Sequence, residues 1–182
     1  MNRRIFLSTS AVSLVGAASW LGAEDSKHGA TPEPSTSKLM NNSGLQTDPR
    51  PTKIEKWDLS KADWQARLNS EAYDVLRQEG TERPFTSELN NEKREGTYTC
   101  AGCGLALFDS TTKFDSGTGW PSFFDKIEGH IGTKRDFKLI LPRTEYHCAR
   151  CGGHQGHVFN DGPSPTGLRY CNNGVALNFV PA

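Results

Sequence analysis

The sequence predicts a mainly β domain: two antiparallel sheets, short N-terminal helices and a structural zinc site of four cysteines. Its later part consists of short runs of strand-favouring residues separated by Gly, Pro and Asp, the pattern of antiparallel sheets. These runs are 97–99, 105–108, 137–141, 145–147, 157–159, 168–170 and 175–179. Two Cys-x-x-Cys pairs fall at glycine-containing turns between them, where the backbone can fold around a metal.

Two short helices are predicted before the strands. Ser60 followed by Asp63 is a helix N-cap pattern, and Trp64 begins the apolar face of the helix that follows. A second helix is expected to begin at Ser70 and end at Gly80. We expect both helices to cover the core, with no chemical role.

The N-terminal part of the chain is predicted to lie outside the domain. Residues 1–23 carry Arg3 and Arg4 before a weakly apolar stretch of Ser, Gly and Ala, which is typical of a twin-arginine export signal and predicts a periplasmic location. The alternative, a transmembrane helix, is disfavoured because the stretch is short and interrupted by polar residues. We therefore expect no stable membrane anchor. Residues 24–53 are polar and proline-containing, which predicts a flexible linker before a domain at 54–182.

Composition limits the number of domains and the kinds of partner. The chain has 182 residues and is 35% hydrophobic, which suits one core. Lys plus Arg and Asp plus Glu each number 21, and no basic run occurs in the predicted domain. A nucleic-acid partner is therefore not expected. We expect a monomer.

Four of the five cysteines form a candidate metal site. Cys100 and Cys103 make one Cys-x-x-Cys pair, and Cys148 and Cys151 make the other. The two-residue gap lets both sulfurs of a pair reach one ion at about 2.3 Å. Four filled positions predict a structural zinc, because a catalytic zinc keeps one coordination position open. A pair of disulfides in an oxidising compartment is the alternative.

The fifth cysteine, Cys171, is a candidate nucleophile. In a strand, Arg169 would share its face and favour the thiolate. His154 and His157 lie nearby in sequence, and Asp161 is close enough to orient one of their rings. On general grounds each histidine is more often structural than catalytic.

Several blocks between about residues 57 and 181 resemble the B-type methionine sulfoxide reductases: GTERPF, YTCAGCG, KFDSGTGWPSFF, HCARCGGHQGHVFNDGP and GLRYC. The resemblance implies a zinc-containing enzyme that reduces methionine-R-sulfoxide in proteins or peptides. It also implies that Cys171 attacks the sulfoxide sulfur to give a sulfenic acid, while His154 and His157 hydrogen-bond or protonate the oxygen.

The resemblance implies roles for further residues of the site. Asp161 would orient a histidine, Arg169 and Asn173 would set the environment of the thiol, and Trp120 would form an apolar wall for the substrate methyl group. Simple core packing is the alternative role for Trp120. An aromatic wall would explain stereochemical preference, because exchanging methyl and oxygen puts a polar atom against an apolar ring.

The chain departs from the family pattern at two places. Many members carry a second, recycling cysteine where this chain has Thr118. Members with Thr depend on an outside thiol, which implies an external reductant here, a thioredoxin-like protein or a small thiol. The second departure is Asn172 and Gly174, where the family usually has an aliphatic residue and Ser.

Two other classes of protein share parts of the pattern. A zinc-ribbon-like binding module would keep the metal site, but it has no use for a free thiol at Cys171 in an oxidising compartment. A thioredoxin-like oxidoreductase opens a helix with its Cys-x-x-Cys, whereas both pairs here lie between predicted strands. The sequence therefore favours the reductase.

Overall fold

The computed structural model describes residues 49–138 and 141–182. The predicted export signal and residues 24–48 of the predicted linker lie outside the described residues. Within them, no helix combines the length and apolarity that a membrane span requires. The described end of the predicted linker contacts the domain: the carbonyl of Pro49 accepts the Ala106 N–H at 2.8 Å, and Arg50 pairs with Asp109. Contacts with the domain thus begin before residue 54, earlier than expected.

Nine strands form two antiparallel sheets among the described residues, so the predicted fold class is confirmed. One sheet has three strands in the order β2–β1–β9, and the other has six in the order β3–β4–β8–β7–β6–β5. The strands are β1 Gly96–Cys100, β2 Ala106–Asp109, β3 Lys113–Phe114, β4 Ser122–Phe123, β5 Ile131–Asp136, β6 Arg143–Cys148, β7 His154–Phe159, β8 Arg169–Asn172 and β9 Leu177–Pro181.

Two helices precede the sheets, as expected. Helix α1 spans Lys61–Arg67 and begins with a capping box between Ser60 and Asp63. Helix α2 spans Ser70–Gln78 and ends where Glu79 adopts a left-handed φ of 56°. Their buried residues join the same apolar cluster as the sheets, so both helices cover the core.

An aromatic cluster joins the two sheets. Phe108 of β2 stacks on Phe123 of β4 with ring centroids 4.1 Å apart, and Tyr98 of β1 meets Phe123 edge-on at 4.9 Å. Tyr146 and Tyr170 extend the cluster beneath the six-stranded sheet. Such ring pairs each contribute about 0.5–1.5 kcal/mol beyond the burial of their surface. The cluster therefore gives β8 a rigid base.

The strand predicted at 137–141 is wrong in its described part. The strand lies earlier, at β5, while Phe137 is 71% exposed and Leu141 is 78% exposed in the connection to β6. Strand β5 is an edge strand with polar, exposed residues, so its composition gave no apolar signal. The last strand also begins later than predicted, because Gly174–Ala176 forms a short 3₁₀ helix.

Candidate active site

Cys171 lies at the centre of the six-stranded sheet, on β8. In the strand register it is opposite His157 of β7 on one side and Ser122 of β4 on the other. Its side chain opens into a cavity of about 110 Å³. The cavity is lined by Thr81, Trp120, Arg143, Gly156, His157, Phe159, Cys171, Asn172 and Asn173. The fold thus brings Cys171, His157, Trp120 and Asn173 around one small space.

Gly156 allows β7 and β8 to meet at this point. A Cβ atom on residue 156 would lie 1.9 Å from the backbone oxygen of Cys171, which is far inside van der Waals contact. Because the obstacle is backbone, a side chain cannot be accommodated by a rotamer change. The third glycine of the GGHQGHVF block is therefore required for the position of the thiol.

The thiol of Cys171 is a partly buried group with one cation beside it. Burial raises the pKa of Cys171, and the positive charge of Arg169 together with hydrogen bonds from Thr118 and Arg169 opposes that rise. The guanidinium of Arg169 also stacks over the Phe159 ring, 4.4 Å from its centroid. Because burial dominates, the thiol is protonated near neutral pH.

Asp161 does not orient a histidine, and that expectation is wrong. Its two carboxylate oxygens accept hydrogen bonds from Nε and Nη2 of Arg169 at 2.9 and 2.8 Å. Asp161 follows the end of β7, and Phe159 at that end pairs with Arg169 at the start of β8. The carboxylate therefore meets the guanidinium across the connection and holds it beside Cys171.

His157 is oriented by Asp136 instead. Its Nε2 lies 2.7 Å from Oδ2 of Asp136, which also accepts a hydrogen bond from Arg143 at 2.7 Å. Hydrogen bonds from the Lys138 N–H, His157 and Arg143 hold the pKa of Asp136 well below its usual range. An ionised carboxylate only accepts, so Nε2 of His157 carries the hydrogen. Nδ1 is then the basic nitrogen of the neutral ring.

The charge of His157 follows from its burial. Burial lowers the pKa of His157, and the hydrogen bond to Asp136 only partly opposes this. The ring is therefore neutral at pH 7. A neutral imidazole can accept the proton of a thiol and pass it on, which suits a site whose thiol is protonated.

His154 lies behind His157 and does not line the cavity. It is 3% exposed, and the two ring centroids are 5.5 Å apart. Nδ1 of His154 lies 2.7 Å from Oε1 of Glu145, whose other oxygen is 3.2 Å from Nδ1 of His147. Burial would raise the pKa of Glu145, but the hydrogen bonds from His147 and His154 lower it to about 2. An anionic Glu145 therefore fixes the His154 ring.

The backbone of Glu82 holds two residues that line the cavity. Its N–H donates to Oδ1 of Asn173 at 2.9 Å, and its carbonyl accepts Nε1 of Trp120 at 3.0 Å. Its carboxylate accepts the Gly174 N–H at 2.5 Å. One residue of the GTERPF block thus holds Trp120 and Asn173 in place.

The four cysteines of the two pairs meet in one buried cluster. Their sulfur atoms all lie within 4.8 Å of one another, and Sγ–Sγ distances are 3.7 Å for Cys100 to Cys151 and 3.4 Å for Cys103 to Cys148. A tetrahedron with metal–sulfur bonds of about 2.3 Å has edges of about 3.8 Å. A disulfide requires about 2.05 Å. The donor set therefore fits a metal ion, and all five cysteines are free thiols.

Each half of the cluster contains a backbone turn of the same kind. Gly104 donates to the carbonyl of Cys100 at 2.8 Å, and Gly152 donates to the carbonyl of Cys148 at 2.9 Å. Both glycines have positive φ, 75° and 67°, a conformation that L side chains rarely adopt. Because β1 and β6 belong to different sheets, the cluster joins the two sheets at one end.

Known proteins are similar to this chain over most of its described residues. The SelR domain matches residues 68–181. The peptide methionine sulfoxide reductase MsrB of Pseudomonas putida (strain W619) is 55% identical over 129 residues, which cover 70% of this chain and 97% of that protein. The chain belongs to the B-type methionine sulfoxide reductase family.

Other members of the family align over a similar span. MsrB of Methanosarcina barkeri is 55% identical over 121 residues, 66% of this chain and 85% of that protein. The chloroplastic peptide methionine sulfoxide reductase B1 of Arabidopsis thaliana is 49% identical over 138 residues, 72% of this chain and 68% of that protein. Among solved structures, the Mis18 "Yippee-like" domain covers 49% of this chain and 98% of its own, at 19% identity and a TM-score of 0.38, too low to support inference.

Three acids of this B-type reductase site escaped the sequence analysis. Asp136 was missed because its strand was predicted too late in the chain. Glu145 stands two residues before His147, so a strand places both on one face, and that spacing was a usable signal. Glu82 acts largely through its backbone, and no sequence pattern reveals that.

Proposed function

We propose that this chain reduces methionine-R-sulfoxide in proteins or peptides to methionine, with Cys171 as the nucleophile. The observation that carries the proposal is the cavity itself, because the free thiol of Cys171, the apolar ring of Trp120 and the oriented imidazole of His157 all line it. The names of the similar reductases support the same reaction. The reaction is an oxygen transfer from sulfoxide sulfur to cysteine sulfur.

The first step uses the protonated thiol. The sulfur of Cys171 attacks the sulfoxide sulfur while its proton moves to Nδ1 of His157 and from there to the sulfoxide oxygen. This attack forms an S–S bond and leaves the oxygen as a hydroxyl group. The hydroxyl group then transfers to the Cys171 sulfur as the S–O bond of the substrate and the S–S bond break, so that methionine leaves and Cys171 becomes a sulfenic acid. One thiol and one sulfoxide thus give one sulfenic acid and one thioether, with no net uptake of protons.

Arg169 and His154 support this step from outside the lining of the cavity. Arg169, held by Asp161, stabilises negative charge as it develops on the Cys171 sulfur. His154 packs edge-on against His157 and keeps that ring in position. Asn173 fixes the chain after the thiol through Glu82.

Trp120 selects between the two diastereomers of the substrate. In this proposal its ring receives the methyl group of the R diastereomer, so that the oxygen points toward His157. The S diastereomer would put oxygen against the ring and leave the imidazole unpaired, which costs more than a poor apolar fit does.

In this proposal a zinc ion held by Cys100, Cys103, Cys148 and Cys151 is structural. A bound zinc would supply cross-linking of the two sheets, because four protein ligands fill its coordination positions. The chain's own residues carry out every step of the reaction. The metal cluster and the cavity are separate sites.

We further propose that an outside thiol restores Cys171. With four cysteines at the metal and Thr118 beside the reacting sulfur, the described residues hold no other thiol to condense with a sulfenic acid. Two equivalents of an external thiol would return the free thiol and release one disulfide and one water. Residues 1–23 would direct export through the twin-arginine route, and the linker would run from residue 24 to the first contacts with the domain at Pro49 and Arg50.

A single-turnover experiment tests the proposed reaction. Zinc-loaded protein receives one equivalent of methionine-R-sulfoxide without reductant. We expect release of one methionine, loss of one titratable thiol and labelling of Cys171 by a sulfenic-acid trap. Cys171→Ser should show none of these. Equal consumption of the S diastereomer, or turnover by Cys171→Ser, would refute the proposal.

A further inference from the structure

A buried polar chain connects the cysteine cluster with the strand end that carries Cys171. Its members are Tyr146, Gln155 and Asn172, each 0% exposed. Buried polar side chains are costly unless they are satisfied, so three of them in contact inside one core form a defined network. The network lies between the two sites that the proposed function uses.

Gln155 is the centre of this network. Its Nε2 donates to Sγ of Cys100 at 3.3 Å, and its Oε1 accepts Nδ2 of Asn172 at 3.4 Å. Its backbone carbonyl accepts both the N–H of Asn173 at 2.9 Å and Nδ2 of Asn173 at 2.8 Å. One residue thus touches a cluster sulfur and the two residues that follow Cys171.

Asn172 transmits the contact to the turn after the thiol. Its Nδ2 also donates to the carbonyl of Asn173 at 2.7 Å, where the chain enters the 3₁₀ helix. Its Oδ1 accepts the hydroxyl of Tyr146 at 2.7 Å, which fixes the orientation of the amide. Asn172 also lines the cavity beside Cys171.

We infer that Gln155 is a positioning residue that couples occupancy of the cysteine cluster by metal to the placement of Cys171. The amide of Gln155 donates a hydrogen bond to the sulfur of Cys100, which is one of the four proposed ligands. Binding of zinc would then fix the Gln155 side chain and, through it, both asparagines. The inference rests on the proposed function in taking Cys171 as the reacting thiol.

Two isosteric variants separate the ends of the network. Gln155→Glu keeps the oxygen that Asn172 needs and removes the donor to Cys100. Asn172→Leu removes the contact with Gln155 and does not touch the cluster. Coupling by its nature acts in both directions, so each variant should affect the end that it does not contact.

Three properties are measured for each zinc-loaded variant. They are the rate of zinc transfer to a chromophoric chelator, the rate of Cys171 alkylation by iodoacetamide across pH, and kcat with KM. We expect Asn172→Leu to release zinc about tenfold faster, within the effect of outer contacts on metal sites. Gln155→Glu should shift the pH profile of Cys171 alkylation and lower kcat about tenfold with KM unchanged.

Tyr98→Phe is the matched control, because Tyr98 is equally buried and its hydroxyl has no hydrogen-bond partner among the described residues. It should change none of these quantities. If each network variant alters only the end it contacts, the inference is overturned. Should one variant not fold, the other decides, with Tyr146→Phe as a third. Zinc release and alkylation need no sulfoxide, so these results stand even if the proposed reaction fails.

Discussion

The carboxylate of Asp136 accepts a hydrogen bond from Nε2 of His157 at 2.7 Å, so the imidazole at the cavity is held by an acid from the edge strand. This contact raises the pKa of His157 against the effect of burial. If neutral His157 takes the thiol proton, activity falls as pH decreases through the pKa of His157. The acid limb of kcat/KM therefore reports on this pair.

Asp136→Asn should move that acid limb to lower pH. Loss of the carboxylate removes the interaction that raises the pKa of His157, so burial lowers it further. We also expect kcat to fall by roughly tenfold to a hundredfold as ring orientation is lost. The profile of kcat/KM from pH 4 to 9 measures both effects, with Asp136→Glu as control. An acid limb that moves to higher pH, or does not move, would contradict the assignment of His157 as the group that accepts the thiol proton.

Cys103→Ser should lose zinc and destabilise the domain. Structural zinc contributes about 10–16 kcal/mol of binding free energy in small zinc domains. Losing even part of this binding free energy would therefore lower the stability of the domain strongly. A loss of several kcal/mol lowers Tm by roughly 10–20 °C. Elemental analysis and thermal unfolding check this, and Cys171→Ser should keep its metal. Metal-free wild-type protein that is soluble and active would argue against a structural zinc.

Trp120→Ala should abolish most of the preference for the R diastereomer. An apolar pocket contact of this kind discriminates by roughly tenfold to two-hundredfold. Trp120→Phe keeps an aromatic wall without the Nε1 donor to Glu82 and should retain most of the preference. The ratio of kcat/KM for the two diastereomers is the readout. If Tm falls along with activity and the ratio of kcat/KM for the two diastereomers does not change, Trp120 contributes only to core packing.

Thr118→Cys should give the enzyme an internal recycling thiol. The Thr118 side chain hydrogen-bonds Cys171, so the two side chains are already adjacent. After one turnover without reductant we expect a disulfide between Cys171 and the thiol introduced at position 118, with two thiols lost. Ser116→Cys is the control, because the Ser116 hydroxyl hydrogen-bonds the hydroxyls of Thr118 and Ser122 and, among the described residues, makes no hydrogen bond to Cys171. Peptide mapping that finds a persistent sulfenic acid instead would refute this.

Much of the fold follows from local pattern. The capping box at Ser60, the helix pair and the two cysteine pairs are encoded by residues close together in sequence. Strand β5 was misplaced because an exposed edge strand needs no apolar alternation, while its hairpin connection carries Phe137 and Leu141. Apolar residues there indicated burial that the fold does not provide.

The site was less predictable, because its contacts cross strands. Asp161 was assigned to a histidine from closeness in sequence, whereas the register places it against Arg169. Asp136 reaches His157 only through the order of β5, β6 and β7. The raised pKa of Cys171 depends on burial in the folded sheet, which no sequence spacing expresses.

The cysteine cluster, once it holds a metal, closes the chain into a ring between Cys100 and Cys151. Trp120, Asp136 and Arg143 lie within this ring, while Cys171 lies beyond it. Such a cross-link restricts the unfolded chain as well as the native one, with an entropic effect that grows slowly with ring size. The thermodynamic cost of losing the metal therefore exceeds the sum of the native contacts around the four sulfur atoms.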